Sequence, residues 1–169
     1  MNRLFLLDKL ALGEIDFAIV EGNFEKEKYD YSIFSQEKYI PVCGKNYKFT
    51  SEPKILKDLL NERLIIREEG SGTREILEKN LQARNISVLE FNQLMEIGGM
   101  NAIKKLIEAN MGITFLYAVA VEEKLKKRTI REIELEDFHV THEFAFIWNK
   151  DSVFATEYVE IFKMMSKIQ

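Results

Sequence analysis

The chain has 169 residues, of which 46% are hydrophobic, enough to bury the core of one domain or of two small lobes. Its 24 Lys and Arg and 28 Asp and Glu give a formal net charge of −4, with no sustained basic block. Because duplex binding needs clustered positive charge, the chain is a poor DNA binder by itself. The only cysteine, Cys43, excludes an internal disulfide and a cysteine-based zinc site, and it fits a reducing cytosol.

The first third of the chain contains a predicted helix and two predicted strands. Leucines at helical spacing over residues 4–11 predict a helix that ends at Gly13. This stretch is too short and too charged for a membrane span, and it lacks the cleavage site of a signal peptide. The apolar run 15–20 predicts a buried strand. A second strand is predicted over 37–43, where Pro41 indicates an edge or a crossing point between lobes.

Helical and strand patterns then alternate. Helices are predicted over 55–60, 73–84 and 103–107, and strands over 64–66, 94–97 and 112–116. This alternation predicts an α/β fold with a mainly parallel sheet. The end of the chain adds strand patterns over 129–135 and 143–148, and then a helix. The apolar stripe of that last helix consists of Phe154, Tyr158, Phe162 and Met165.

The stretch "REEGSGTR" at 67–74 joins a strand pattern to a helix pattern through two glycines. Gly70 and Gly72 permit backbone angles that other residues resist, so N–H groups from Ser71 to Arg74 can converge at the positive end of the helix dipole. Ser71 and Thr73 add hydroxyl groups. These features are typical of an anion site.

A second glycine junction, "EIGGMN", repeats this arrangement. Gly98 and Gly99 precede a helix that starts near Met100, with Asn101 as a candidate N-cap. Two such helix starts at one cleft can hold one small anion.

A tight turn and a simple N-cap explain the same residues and remain the alternative interpretation of both junctions. A capping box that starts at Ser71 needs Glu or Gln at position 74, whereas the chain has Arg74, so this helix end lacks reciprocal closure. Neither a Walker loop nor the dinucleotide fingerprint is present, which argues against nucleotide binding.

No pattern supports catalysis or a metal. His139 and His142 point to opposite faces of a strand and have no evident third ligand, so surface histidines are the preferred interpretation. The adjacent carboxylates at 68–69 and 122–123 are also aimed apart and are expected to be solvated. Cys43 is predicted to be a buried, inert thiol and Trp148 a core residue. We therefore expect no enzyme activity and no cofactor.

Three stretches together carry a family resemblance: "GEIDFAIVEG", "IIREEGSGTREILEKNL" and "MEIGGMNAIKKLIEANMGITFL". In this order and spacing the chain resembles the effector-binding module of LysR-type transcriptional regulators. The resemblance implies two Rossmann-like α/β lobes of the periplasmic-binding-protein type II kind, with a small effector held between them. It implies that residues 1–24 and 125–169 form lobe one and that 25–124 form lobe two.

The resemblance also assigns effector-binding residues. Those of the first lobe end its strand, and those of the second lobe lie at the two glycine junctions and on the "GITFL" strand. They are Glu21, Gly22, Gly70, Ser71, Gly72, Thr73, Gly98, Gly99, Met100, Asn101, Thr114 and Phe115. The chain departs from the family at Asn110, usually Gly, which still tolerates a left-handed turn, and at Tyr117, usually Pro, which reshapes one wall of the cleft.

The family's helix-turn-helix and the opening strand-helix-strand of lobe one do not match any part of this chain, so lobe one is expected to be incomplete. DNA contact is then expected only through that missing N-terminal domain. The resemblance further implies a cytoplasmic sensor of a small, anionic effector and no membrane contact. It also implies a homodimer, for which the leucines at 4–10 and the apolar stripe Ile76, Leu77 and Leu81 are the candidate surfaces. A solute-binding protein of a transport system is the alternative with the same fold.

Overall fold

The computed structural model describes residues 3–21 and 24–166, which divide into two compact units. The first unit combines residues 1–37 with 141–169, and the second unit is the contiguous segment 38–140. Two strands contain the passages from one unit to the other: β2, Tyr29–Gly44, and β7, Val140–Asn149.

The first unit contains α1, Arg3–Ala11, β1, Phe17–Glu21, and α5, Ala155–Ser166. Its strands lie in the order β1, β7, β2, and β1 pairs with β7 in antiparallel register. Gly13 ends the first helical segment with a φ of +69°, and its N–H donates to the carbonyl of Leu10 at 3.1 Å. The predicted glycine stop is confirmed.

Helices cover both faces of this small sheet, because alternate residues of a strand point to opposite faces. Ala145 and Ile147 of β7 pack with Leu10 of α1. Phe146 and Trp148 pack on the other face, against Tyr158 of α5. Burial on both faces explains why this strand is continuously apolar, and it confirms Trp148 as a core residue, 5% exposed.

The second unit alternates helices and strands. In chain order these are a 3-10 helix at Leu56–Asn61, β3 at Arg63–Ile66, α2 at Gly72–Gln82, a 3-10 turn at Val88–Glu90, β4 at Gln93–Glu96, α3 at Met100–Glu108, β5 at Ile113–Tyr117, α4 at Ala118–Lys126 and β6 at Ile130–Glu132. The strand order is β6, β2, β5, β3, β4. One face of this sheet packs on α3 and α4, with Ile40, Ile65 and Ile107 in the same cluster.

The sheet is mixed, so the expectation of a mainly parallel sheet is wrong. β3 runs parallel to β4 and β5, whereas β2 runs antiparallel to β5 and β6, as β1 does to β7. The parallel part coincides with the strand-helix repeats from residue 63 to 117. The chain enters this sheet through β2, which has no preceding crossover helix to bring it into parallel pairing.

Pro41 lies in β2, the strand that passes from the first unit to the second, and not on an edge strand, so of the two predicted alternatives the crossing point is the one that fits. Pro41 is opposite Phe115 in the β2–β5 pairing, and its carbonyl accepts the N–H of Ile133 at 2.9 Å on the other side. The N–H and C=O of one strand residue point to the same side, so the missing N–H faces the β6 side. The β6 ladder begins only at Val42, and the proline therefore breaks no bond to β5.

The boundaries between the units follow Glu37 and Val140, later in the chain than the expected lobe boundaries after residues 24 and 124. The first shift arises because β2 already starts at Tyr29. The second arises because β6 pairs with β2, and Ile130 packs in the core of the second unit.

The apolar stripe predicted as a dimer surface on α2 is not available for pairing. Ile76, Leu77 and Leu81 are 7%, 2% and 0% exposed, because they form part of the core of the second unit. In α1, Leu10 is fully buried, whereas Leu4 and Phe5 are 58% and 49% exposed. Within the ranges described here, no helix is long and apolar enough to cross a membrane.

Candidate functional site

The first glycine junction forms the start of α2 as the sequence predicts. Gly70 has a φ of +80°, a conformation that favours glycine. Ser71 occupies the N-cap position in an extended conformation, and its side chain makes no capping hydrogen bond. It is nevertheless only 9% exposed, and no group in residues 3–21 or 24–166 bonds its hydroxyl. The hydroxyl oxygen is not among the buried polar atoms of the described chain that lack a partner, so it reaches solvent and is accessible to a ligand at this helix start.

Backbone donors surround this hydroxyl. Within the described part of the chain, the N–H groups of Gly72, Thr73 and Arg74 form no hydrogen bond, as expected for the first turn of a helix. The first helical bond here joins the Glu75 N–H to the Ser71 carbonyl at 3.0 Å. The hydroxyl of Thr73 also has no partner among the described residues. The α2 start thus leaves three N–H groups and two hydroxyls without a partner in the described part of the chain, the kind of donor set that an anion uses.

A shallow depression adjoins this helix start. It is lined by Tyr39, Ile65, Ile66, Arg67, Thr73, Arg74, Leu77, Thr114 and Phe115. Three of the predicted site residues, Thr73, Thr114 and Phe115, therefore lie together. Phe115 is 2% exposed and acts as an apolar wall.

Tyr39 ties the strand β2 to this helix start. Its phenolic hydroxyl donates to the Thr73 carbonyl at 2.8 Å, and its ring lies 6.3 Å from that of Phe115 and 5.3 Å from that of Tyr117. Tyr117, where the family usually has Pro, thereby contacts a ring that lines the depression. Tyr39 carries no sequence signal of this role, because no local pattern relates it to a helix that starts more than thirty residues later.

Thr114 has a structural role in addition to its place in the lining. Its hydroxyl donates to the Ile65 carbonyl at 2.6 Å, and the side chain is 2% exposed. Its proton is therefore committed to the β3–β5 pairing, which leaves only the oxygen lone pairs for any further contact.

Two arginines, also missed as site residues, supply positive charge to the depression. The Arg67 guanidinium donates to both carboxylate oxygens of Glu68 at 2.7 Å, and this bond lowers the pKa of Glu68 to about 2. Arg74 donates to Glu78 at 2.7 Å and to Glu96 at 2.6 Å, and these bonds raise its pKa further. The sequence signal for an unusual helix start is Arg74 itself, because a capping box needs Glu or Gln at that position.

The second glycine junction lies beside the first. β3 and β4 are parallel neighbours, with Ile66 opposite Glu96, and the Ile97 N–H donates to the Ile66 carbonyl at 2.9 Å. The carboxyl ends of parallel strands meet at one edge of a sheet, so α2 and α3 both begin at this edge. The structure thus brings together the two junctions predicted from the sequence.

The second junction differs from the first in its cap and its charge. Gly99 is the N-cap of α3, whereas Asn101 lies inside the helix and is exposed, so the expected Asn101 cap is wrong. A side chain at Gly98 would begin 4.0 Å from the Glu68 carboxylate. Because this carboxylate is negatively charged, the start of α3 at Met100 is a less favourable place for an anion than the start of α2.

The remaining predicted site residues belong to the first unit. Glu21 ends β1, and its carboxylate lies 2.6 Å from Nδ1 of His142. Gly22 lies outside the described residues. His142 is thus partly buried and bonded, whereas His139 is exposed as predicted. Across the described ranges, no group of three or more His, Cys, Asp or Glu is placed to hold a metal ion. The effector-binding role of Glu21 stays a prediction.

The turn at Asn110 survives the departure from the family pattern. Asn110 has a φ of +59°, and its N–H donates to the Ile107 carbonyl at 2.9 Å, which ends α3 in the left-handed conformation expected from the sequence.

Comparison with known proteins relates this chain to regulatory domains. Residues 1–159 match the family model of the LysR substrate binding domain. A probable RuBisCO transcriptional regulator from Thalassiosira pseudonana is 26% identical over 150 residues, which cover 85% of this chain and 49% of that protein. The chain therefore spans about half the length of this curated relative.

Solved structures show the same fold. The regulatory domain of CcmR from Synechocystis PCC6803, in complex with 2-PG, matches with a TM-score of 0.80 and 20% identity over 99% of this chain and 81% of that one. A sulfate-bound mutant regulatory domain of OxyR2 from Vibrio vulnificus matches with a TM-score of 0.78 and 17% identity over 100% of this chain and 79% of that one.

Proposed function

The chain belongs to the LysR substrate binding domain family, and from this premise we propose that it senses a small anion bound at the start of α2. The observation that carries this proposal is Ser71, a residue 9% exposed whose hydroxyl has no partner in the described part of the chain, at a helix end with three uncommitted N–H groups. Such a helix end favours anions through both its N–H groups and its dipole.

Arg67 and Arg74 bring guanidinium N–H donors to the site, and each also pairs with a carboxylate outside the lining of the depression. Both line the depression, and the other side chains that line it carry no formal charge. Among the solved neighbours, CcmR was captured with 2-PG and OxyR2 with sulfate. A small carboxylate or inorganic oxyanion is therefore the effector class that fits this site.

In this proposal the whole protein is a transcriptional regulator and not a solute-binding protein of a transport system. The curated relative, a probable transcriptional regulator, supports this choice. The net charge of −4 argues against DNA contact by this chain, so DNA is contacted by another part of the regulator, in the cytoplasm. The chain pairs with a second copy through the exposed face of α1, and it catalyses no reaction.

The hydroxyl groups provide the direct test. Replacing Ser71→Ala and Thr73→Val together removes both hydroxyls and should weaken sulfate binding by about five- to two-hundred-fold, equivalent to roughly 1 to 3 kcal/mol. Isothermal titration calorimetry with sulfate, followed by a panel of anionic metabolites, measures this loss.

The matched control is Thr50→Val with Ser51→Ala, which makes the same two changes at exposed positions of the same unit. The control should bind sulfate as the wild type does. If the site variant melts at a lower temperature but binds every anion as well as the wild type, the junction is a turn and a cap, and the proposed function fails.

A further inference from the structure

Arg74 is shared between two carboxylates at the start of α2. Nε donates to Glu78 at 2.7 Å, and Nη1 donates to Glu96 at 2.6 Å and to the Arg67 carbonyl at 3.3 Å. Glu78 lies one turn further along α2, whereas Glu96 ends β4 directly before the second glycine junction. The arginine side chain is 14% exposed, so its position is set by these contacts.

Part of this guanidinium is still uncommitted. A guanidinium carries five N–H donors, and Nη2 of Arg74 has no acceptor among residues 3–21 and 24–166. The free Ser71 hydroxyl and the free N–H groups lie in the same turn. A second positive group therefore stands beside the proposed anion site with donors to spare.

The local charge balance opposes an incoming anion. Arg74 contributes one positive charge, and its two partners contribute two negative charges. Arg67 and Glu68 neutralise each other in a two-pronged pair. An anion at the α2 start therefore approaches the negative charge of Glu96, which also holds Nη1 of Arg74 away from it.

We propose that Glu96 is an internal competitor that holds Arg74 in a resting pairing and thereby sets the affinity of the site for its anionic effector. This inference rests on the proposed function and adds a residue that tunes it. The effector draws the guanidinium of Arg74 toward the α2 start and weakens its bond to Glu96. Because Glu96 lies four residues before Met100, the first residue of α3, the exchange changes a contact between the segments that lead into the two helices.

Replacing Glu96→Gln removes the competing charge but keeps the size of the side chain. We expect sulfate, titrated by calorimetry, to bind about three- to tenfold more tightly, the order expected for removing one charge near a divalent anion in a solvent-accessible setting. Loss of a supporting contact would instead weaken binding or leave it unchanged. Unchanged or weaker binding overturns the proposal.

A double-mutant cycle separates competition for Arg74 from a general charge effect. In an Arg74→Gln background, Glu96→Gln should lose most of its gain, because the competition requires the arginine. An equal gain in both backgrounds contradicts the proposal. Glu69→Gln is the matched charge control. Glu69 is exposed, lies in the loop that leads from β3 into α2, and makes no ion pair among the described residues. If it tightens binding as much as Glu96→Gln does, the proposal also fails.

The Ser71→Ala and Thr73→Val variant distinguishes the two levels of failure. If that variant binds sulfate as the wild type does, the proposed function itself is wrong. If it loses binding while Glu96→Gln gains none, only the role of Glu96 is rejected. Thermal melts confirm that each variant is folded, and Glu96→Asp, which retains the charge, should keep the affinity close to that of the wild type.

Discussion

At the scale of single residues, burial determines the chemistry of Cys43. Its side chain is fully buried in β2, and this burial raises the pKa of the thiol from 9.0 to about 11. The thiolate is the reactive form, so at pH 8 the folded protein should be inert to a disulfide reagent such as DTNB, whereas the protein unfolded in guanidinium should react at once. Stoichiometric labelling of the native protein within minutes would contradict this.

The same shift predicts a pH dependence of stability. A thiol whose pKa is higher in the folded state stabilises the fold fully below its ordinary pKa of 9.0. This contribution is lost as the pH rises from 9 toward about 11. Urea unfolding between pH 8 and 11 should show a loss of stability in this range, and a Cys43→Ser control, without a group that titrates there, should show less.

Individual site residues differ in how far a sequence can predict them. The Ser71 and Thr73 hydroxyls follow from a local pattern, because a helix start needs only neighbouring residues to form. The bond from Thr114 to the Ile65 carbonyl and that from Tyr39 to Thr73 join distant segments. Such bonds depend on strand register, for which a single sequence carries no direct signal.

At the scale of elements, Gly112, the residue directly before β5, allows the chain to pass close to β3. A Cβ at this position would lie 2.5 Å from the Arg63 carbonyl and 3.2 Å from Cγ1 of Ile65. Gly112→Ala should therefore push the two strands apart and lower the free energy of unfolding by about 2 kcal/mol or more. Urea titration measures the loss.

Gly98→Ala is the control for this change. A Cβ at Gly98 would have its nearest neighbour, the Glu68 carboxylate, at 4.0 Å, an ordinary contact. The control should cost less than about 1 kcal/mol. Equal losses in the two variants would show that removing a glycine, and not the contact with β3, causes the effect.

Most elements could be predicted from periodicity; besides the short 3-10 turn at Val88–Glu90, the first half of β2 and the whole of α4 could not. The helix and strand repeats from residue 63 to 117 carry clear patterns. β2 starts at Tyr29, eight residues before the predicted strand, because its polar and aromatic first half is only partly buried. α4 was missed because its stretch follows directly on the buried strand β5 and carries a single buried side chain, Val121. In both cases tertiary contacts replace the local pattern.

At the scale of the whole molecule, the structure redirects the expected dimer contact to α1. The apolar stripe of α2 is buried in the core of the second unit, whereas Leu4 and Phe5 form an exposed apolar face on α1. We predict a homodimer through this face, which Leu4→Glu with Phe5→Glu should convert to a monomer, because pairing would then bury charged side chains. Sedimentation velocity at micromolar concentration measures the change.

Val153→Glu with Met164→Glu provides the comparison for the dimer. These positions are 89% and 60% exposed and also belong to the first unit. This variant should remain a dimer. A wild type that sediments only as a monomer, or a comparison variant that also dissociates, would reject α1 as the contact.

The composition of the first unit from two distant chain segments has a consequence for synthesis on the ribosome. β1 emerges early, but its partner β7 follows only after the whole segment 38–140. At about 5 to 20 residues per second, roughly 5 to 20 s pass before β7 is made. The second unit, which is contiguous, can fold in that interval. The side chains of α1 and β1 that pack on β7, such as Leu10, lack that partner until then, so this segment is where we expect a nascent chain to bind a chaperone.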